Sequence, residues 1–271
     1  MGKRYSDLDI RMKNNYENVA KTRLLRRTPV IIRIDGKAFH TFTRGMKKPF
    51  DAILIKSMQD TMKYLCENIQ GCVFGYTQSD EITLVLIDYQ TLTTEAWFDY
   101  EVQKMCSIAA SMATMAFNKA FRNKAMETIE YINEAWNISD EDKKYVDTLY
   151  KAIEKGAMFD ARCFNVPREE VTNNIYWRQQ DATRNSIEMV GHANFSQKEL
   201  HCKSCNEIQD MLHEYKGINW NDFSTELKRG SACLRGDRGW YVDHEMPILK
   251  GENREYVDRL IREETYDKKQ K

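Results

Sequence analysis

The chain has 271 residues, of which 42% are hydrophobic and 11% aromatic; this excludes a disordered chain and leaves room for a sizeable core in one large or two small domains. Its 41 basic and 41 acidic side chains cancel, which excludes nucleic-acid binding driven by overall charge and leaves only local basic patches for that role. The longest strictly aliphatic run, Leu84 to Ile87, is far short of the roughly 20 residues of a membrane helix, and the first residues lack the apolar core of a secretion signal, so a soluble, cytoplasmic protein with no membrane partner is expected.

Ser6-Asp-Leu-Asp9 resembles a capping box, and Leu8, Met12, Tyr16 and Val19 follow at helical spacing, which predicts a helix to about Leu25. Pro29 stops it. Val30, Ile31, Ile32 and Ile34 form a β-branched run ending at Asp35-Gly36, a buried strand that delivers a carboxylate to its end. Asp51 can cap the next helix, whose stripe is Leu54, Met58, Met62, Leu65 and Ile69. Cys72 to Tyr76 and Ile82 to Ile87 read as strands joined through Gln78-Ser79-Asp80-Glu81, a hairpin. A long helix follows, with Phe98, Val102, Met105, Ala109, Met112 and Ala116 on one face and Lys104, Ser107 and Ser111 on a polar one. Mostly helical segments run to about Lys155, Phe159 to Val166 reads as a fourth strand, and Ser231 to Arg235 and Trp240 to Val242 as two short ones. A last helix is expected from about Asn253 to Thr265.

The order strand, helix, strand, strand, helix, strand is that of a ferredoxin-like sheet, so the fold class expected is α+β. Residues 1–170 are expected to form the catalytic domain, with an N-terminal helix and a helical insertion, and residues 171–271 a mostly helical region packed on it. In this sheet order the hairpin tip lies beside the end of the first strand, so Asp35 and Asp80 should meet. Two converging carboxylates repel unless a cation sits between them, and oxygen ligands of this kind suit Mg²⁺, which keeps water and phosphate oxygens as its other ligands. Each motif alone also reads as an ordinary turn.

Arg33-Ile-Asp-Gly-Lys-Ala-Phe-His-Thr-Phe42, Lys48-Pro-Phe-Asp51, Tyr76-Thr-Gln-Ser-Asp-Glu81, Phe159-Asp-Ala-Arg162 and Tyr176-Trp-Arg-Gln-Gln-Asp181 resemble, in order, the motifs of the tRNA-histidine guanylyltransferase family. The match is weaker through Lys228-Arg-Gly230 and Asp243 to Pro247. The resemblance implies a polymerase- or cyclase-like palm that adds nucleotides to the 5′ end of tRNA in the 3′-to-5′ direction, with ATP and GTP or other nucleoside triphosphates as substrates. It implies two Mg²⁺ ions, with Asp35, Asp80 and the Gly36 carbonyl as ligands, Ser79 and Glu81 flanking as catalytic residues, and Arg33, Lys48 and Lys104 near phosphates. Backbone amides around Lys37, Ala38, Phe39 and His40 would cradle the triphosphate. It also implies a homo-oligomer, a tetramer.

Where eukaryotic members carry His-Ile-Asn-Asn-Leu-Tyr-Asn-Thr, this chain reads Ala182-Thr-Arg-Asn-Ser-Ile-Glu-Met189, and only Asn185 matches in place. That resembles the guanylyltransferase-like branch, whose members mainly repair 5′-truncated tRNA. The alternatives are a strict tRNA-histidine guanylyltransferase, a nucleotidyl cyclase, whose Gly-Gly-Asp/Glu-Glu-Phe signature is absent, and a non-catalytic RNA-binding protein. Lys21, Arg23, Arg26 and Arg27 form one basic cluster and Arg44, Lys47 and Lys48 another, either able to bind phosphates. His201, Cys202, Cys205 and His213 have partial zinc-site spacing, but no second cysteine pair accompanies them and the apolar neighbours predict an ordinary helix. The seven cysteines are read as reduced.

Overall fold

A computed structural model describes residues 6–91 and 93–262. The β-branched run after Pro29 forms β1 (Val30–Gly36), and the hairpin is β2 (Cys72–Gln78) and β3 (Glu81–Leu86). With β4 (Phe159–Asn165), β5 (Ser231–Gly236) and β6 (Gly239–Asp243) they make one sheet in the order β4-β1-β3-β2-β5-β6, every pair antiparallel. The first four strands have the expected ferredoxin-like order, and the architecture is α+β. The two late strands extend that same sheet from β2, which their position in the chain did not reveal.

The helices are α1 (Asp7–Met12), α2 (Phe39–Phe42), α3 (Ala52–Asn68), α4 (Val102–Asn133), α5 (Asp140–Lys155), α6 (Arg168–Asn194), α7 (Gln197–Leu200), α8 (Cys205–Lys216), α9 (Thr225–Arg229) and α10 (Glu255–Asp258). Val30, Ile32 and Ile34 of β1 pack with Ile82, Leu84 and Leu86 against α3, α4 and α5, while Ile31 and Val85 face Val171 and Ile175 of α6. Burial on both faces is why β1 reads as a continuous apolar run rather than an alternation. On α4 the buried positions Met105, Ala109, Ala113, Phe117 and Phe121 recur every four residues, and the alanines let the helix lie close to the sheet.

Three expected elements differ. The first helix ends early, in a π-turn over Lys13–Glu17, instead of reaching Leu25. The following segment is drawn out straight because Leu24 donates to the Tyr100 carbonyl, Thr22 accepts from Val102, and the Asn165 side chain holds the backbone of Leu25. Tyr16 and Val19 are left 67% and 73% exposed, so their periodic spacing marks no buried face within this chain. Phe98 does not join the long helix: Phe98, Asp99 and Tyr100 have left-handed backbones, and Asp99 turns to meet Arg23 and Arg26. The last helix is a mixture of short 3₁₀ and α turns from Gly251 to Ile261, and its expected end at Thr265 lies outside the described residues. Among the described residues no helix is long and apolar enough to cross a membrane.

All seven cysteines are free. The Cys106 thiol lies 3.5 Å from the Cys163 sulfur between α4 and β4, and burial pushes the Cys163 thiol up to about 12.

Close approach of α3 to the sheet depends on Gly75 in β2, where an added Cβ would come within 2.5 Å of the Cys66 sulfur. Gly75→Ala is therefore expected to cost about 1–3 kcal/mol of stability, read as a lower urea midpoint. Adding Cys66→Ala should restore part of the loss; an unchanged midpoint in the single variant would contradict this packing.

Candidate functional site

The site is built on one pairing. In the β1–β3 register Ile34 lies opposite Ile82 and Asp35 opposite Glu81, and the Gly36 amide donates to the Asp80 carbonyl at 3.1 Å. The hairpin turns on Ser79 and Asp80, with Ser79 in the left-handed region and its hydroxyl donating to Asp80 Oδ1 at 3.1 Å. Asp35 and Asp80 are thus brought to one end of the sheet, as their placement predicts. Burial, then the charge of Asp35, holds the Asp80 carboxyl above the usual aspartate range, against the backbone and Ser79 hydrogen bonds that lower it. Among the described residues neither aspartate forms an ion pair.

Glu81, also expected among the catalytic carboxylates, is placed differently. Its side chain is buried and faces α6, where Arg178 Nε donates to Oε1 at 2.6 Å and Arg178 Nη2 to Oε2 at 3.0 Å. Arg33 Nη2 donates to the same Oε2, so the guanidinium expected near phosphates is engaged with Glu81 instead. Arg178 Nη2 also reaches Asp181 at 2.6 Å.

Beside the tip opens a cleft lined by Gly36, Ala38, His40, Lys47, Lys48 and Asp80, with Met189 and His192 of α6 across it. Its floor turns sharply: Ala38 is left-handed, and a Cβ on Gly36 would sit 2.2 Å from the Phe39 ring. Phe39 itself points into the core, 5.1–5.5 Å from the rings of Phe42, Phe117 and Phe159, so only its backbone can serve a ligand. The Lys37 amide, expected to cradle phosphate, already donates to the Met158 carbonyl at 2.8 Å. Lys48 is exposed at the cleft, and Lys47 sits 4.6 Å over the Tyr145 ring.

Lys104 is not brought to this place within the chain. The start of α4 meets β4 at Cys163, opposite Ile32, whereas Thr114 meets Phe159, opposite Gly36. Lys104 therefore lies toward the other end of β1, with its ammonium 4.9 Å over the Phe98 ring. Three members of the first basic cluster are also engaged: Lys21 with Glu17, Arg23 with Asp99, and Arg26 with Asp88 and Asp99.

Sequence reasoning named Arg162 and Arg178 within motifs but gave them no role, and it missed His192. Arg178 stood out in one respect, being a charged residue on the buried stripe Val171, Ile175, Ala182 of α6. Arg162 lies opposite Arg33 in the β1–β4 register, its guanidinium raised first by its bond to Asp160 and also by Asp35 and Glu81. Asn185, Met189 and His192 share one helical stripe toward the tip and cleft. At Cys202 and Cys205 the chain makes an ordinary helix start, with Ser204 and Glu207 forming the capping box of α8.

The carboxylate pair fits a hard divalent cation. Asp80 is destabilised in its charged form by burial and by Asp35, and a cation between them would remove that penalty. Among the described residues no third His, Cys, Asp or Glu joins them, which suits Mg²⁺, an ion that takes few protein ligands and completes its shell with water and phosphate.

Two outcomes follow. Asp35→Ala and Asp80→Ala should each weaken Mg²⁺ binding at this end of the sheet and lower any turnover supported by that ion by at least about 10³-fold, with little loss in melting temperature; near-normal turnover at saturating Mg²⁺ would refute the assignment. In metal-free buffer, Asp80→Asn should raise the melting temperature at pH 7. The raised native pKa means the folded state binds a proton that the unfolded state has released, so wild-type stability falls as pH rises through that window. The advantage should disappear below about pH 4, where both states are protonated; a variant less stable than wild type at pH 7 would contradict the burial argument.

Comparison with known proteins gives the family and the fold. The family model for tRNAHis guanylyltransferase matches residues 10–167. The tRNA(His) guanylyltransferase of Debaryomyces hansenii is 26% identical over 225 residues, which is 78% of this chain and 75% of that protein. A bacterial tRNA(His) guanylyltransferase-like protein solved in complex with ATP superimposes with a TM-score of 0.80 at 41% identity, over 94% of this chain and 99% of that one. A bacterial tRNA(His) guanylyltransferase-like protein in complex with GTP gives 0.71 at 37% identity, with the same coverage.

Proposed function

The chain belongs to the tRNAHis guanylyltransferase family of nucleotidyltransferases, and from that premise we propose that it is a Mg²⁺-dependent 3′-to-5′ polymerase that repairs 5′-truncated tRNA. The observation that supports the reading most is the convergence of Asp35 and Asp80 beside a cleft lined by Lys47, Lys48, His40 and His192. The bacterial relatives hold ATP and GTP, and by that likeness this chain takes nucleoside triphosphates in the cleft. Activity is assigned to the cytoplasm and to a homotetramer, with residues 1–170 as the catalytic part and 171–271 packed on it.

In the reaction, the 5′ monophosphate of the tRNA attacks the α-phosphate of ATP and releases pyrophosphate, leaving an adenylylated 5′ end; the 3′-hydroxyl of an incoming nucleotide then loses its proton and attacks the tRNA's 5′ phosphate, expelling AMP. Asp35, Asp80 and the Gly36 carbonyl would hold Mg²⁺, which lowers the pKa of the attacking hydroxyl and offsets charge on the triphosphate. Lys47, Lys48 and His40 supply charge and hydrogen bonds to the phosphates, and Ser79 orients Asp80. Arg33 acts through Glu81 rather than on phosphate, and Lys104 is given no phosphate contact.

Repair is preferred over tRNA-histidine-specific addition because of the residues at 182–189, where Arg184 and Glu188 stand in place of two asparagines of the eukaryotic motif. Selection would come from pairing of the incoming base with the opposing acceptor-stem base, which sets the 3′-hydroxyl in line; a misplacement of ~1 Å costs on the order of a hundredfold in rate. In single-turnover assays with each nucleotide offered separately, several tRNAs lacking their first nucleotide should be restored with the Watson–Crick complement, faster than guanosine is added to full-length tRNA-histidine. A preference for full-length tRNA-histidine, or addition of guanosine whatever the opposing base, would return the protein to the specific branch.

A further inference from the structure

Glu81 follows Asp80 directly and opens β3. With its side chain only 5% exposed, a carboxylate is tolerated only when fully compensated. Both oxygens are taken: Oε1 by Arg178 Nε, and Oε2 by Nη2 of Arg178 and of Arg33. Arg178, 6% exposed, is equally committed, since its fork also reaches Asp181. The tip itself has few other ties. Its turn is two residues long; Ser79 donates to its neighbour Asp80, the Thr77 hydroxyl donates to the Glu81 carbonyl at 2.9 Å within the hairpin, and the cross-strand bond from Gly36 to Asp80 joins it to β1. The bidentate bond to α6 is thus the side-chain link between the tip and the helix behind the sheet.

We infer that Arg178 is a positioning residue: by holding Glu81 in a two-point fork from α6 it sets Asp80 beside Asp35, and Glu81 is an anchor for the tip and not a metal ligand. The inference rests on the reading of Asp35 and Asp80 as the reaction centre. A planar guanidinium fixes both the distance and the orientation of the carboxylate it binds, which a single point charge does not. The tip can then bring Asp80 to the same place in each turnover.

The test compares Glu81→Gln, Arg178→Met, their double variant, Arg178→Lys and the control Asp80→Asn. One readout needs no activity: binding of Mn²⁺ alone to the intact protein, followed by the electron paramagnetic resonance signal of free Mn²⁺. Glu81→Gln should bind Mn²⁺ within about threefold of wild type, while Asp80→Asn weakens it at least about tenfold. In nucleotide addition, Glu81→Gln and Arg178→Met should each lower kcat by on the order of a hundredfold with little change in KM for the nucleotide. The double variant should be no worse than either, because the two residues act as a unit. Arg178→Lys, which keeps the charge and loses the fork, should recover only part of the rate. If a single variant does not fold, the double variant, which removes both charges of the fork and leaves the part-exposed Arg33 as the one cation without its carboxylate there, decides. Loss of Mn²⁺ affinity in Glu81→Gln equal to that in Asp80→Asn would make Glu81 a ligand and overturn the inference. A folded double variant turning over at the wild-type rate would overturn it as well. Failure of the wild-type protein to extend any tRNA would refute the proposed function instead, and the Mn²⁺ comparison would still decide the role of Glu81.

Discussion

The antiparallel pairing of β1 with β3 is the constraint on which the rest of the structure depends. It sets Asp35 level with Glu81 and ties the Gly36 amide to the Asp80 carbonyl, so two carboxylates from distant parts of the sequence end at one sheet edge. A slip of one residue would turn every side chain of β1 to the opposite face. That slip is opposed by two cores at once, since Ile32 and Ile34 are buried toward α3 and α4 while Ile31 is buried toward α6. The chemistry is therefore placed by hydrophobic packing, and the polar residues at the strand ends inherit a register that they do not determine.

Charge is distributed around this edge with a clear division. Of the three acidic side chains, Glu81 is neutralised by Arg33 and Arg178, and Asp35 and Asp80 are not. Asp80 lines a cleft whose other lining groups include Lys47, Lys48 and two histidines, and Asp35 adjoins Asp80 at its rim. Acids that can hold a cation thus adjoin groups that can hold an anion, which is the combination a metal–triphosphate complex requires. A chain with no net charge can do this because its basic groups are sorted: the cluster near Arg23 and Arg26 is spent on Asp88 and Asp99, whereas Lys48 remains exposed at the cleft.

The strand order and the hairpin tip were legible in the sequence because each strand carries its own apolar run and turn residues. The straight segment after the first helix was not legible. Its course is set by partners far along the chain, Tyr100, Val102 and Asn165, and the helical spacing of Tyr16 and Val19 gave a contrary local signal. The late strands were found as strands, but their place in the main sheet depends on pairing with β2, which no local pattern encodes. At the site, Asp35 and Asp80 could be found from their positions at strand ends. The engagement of Glu81 by both Arg33 and Arg178 could not, because it depends on where α6 crosses the sheet. The one available clue was a charged residue at a buried helical position, which is uncommon without a buried partner.

The central claim is that Asp35 and Asp80 together hold the catalytic divalent ion. Its most direct test is anomalous scattering from crystals of the intact protein grown with Mn²⁺ and a non-hydrolysable nucleoside triphosphate. The account requires Mn²⁺ bound by the carboxylates of Asp35 and Asp80, with triphosphate oxygens completing the shell and Glu81 still turned to Arg178. Mn²⁺ bound by Glu81, or a triphosphate seated in the cleft with no metal at Asp35 and Asp80, would contradict it.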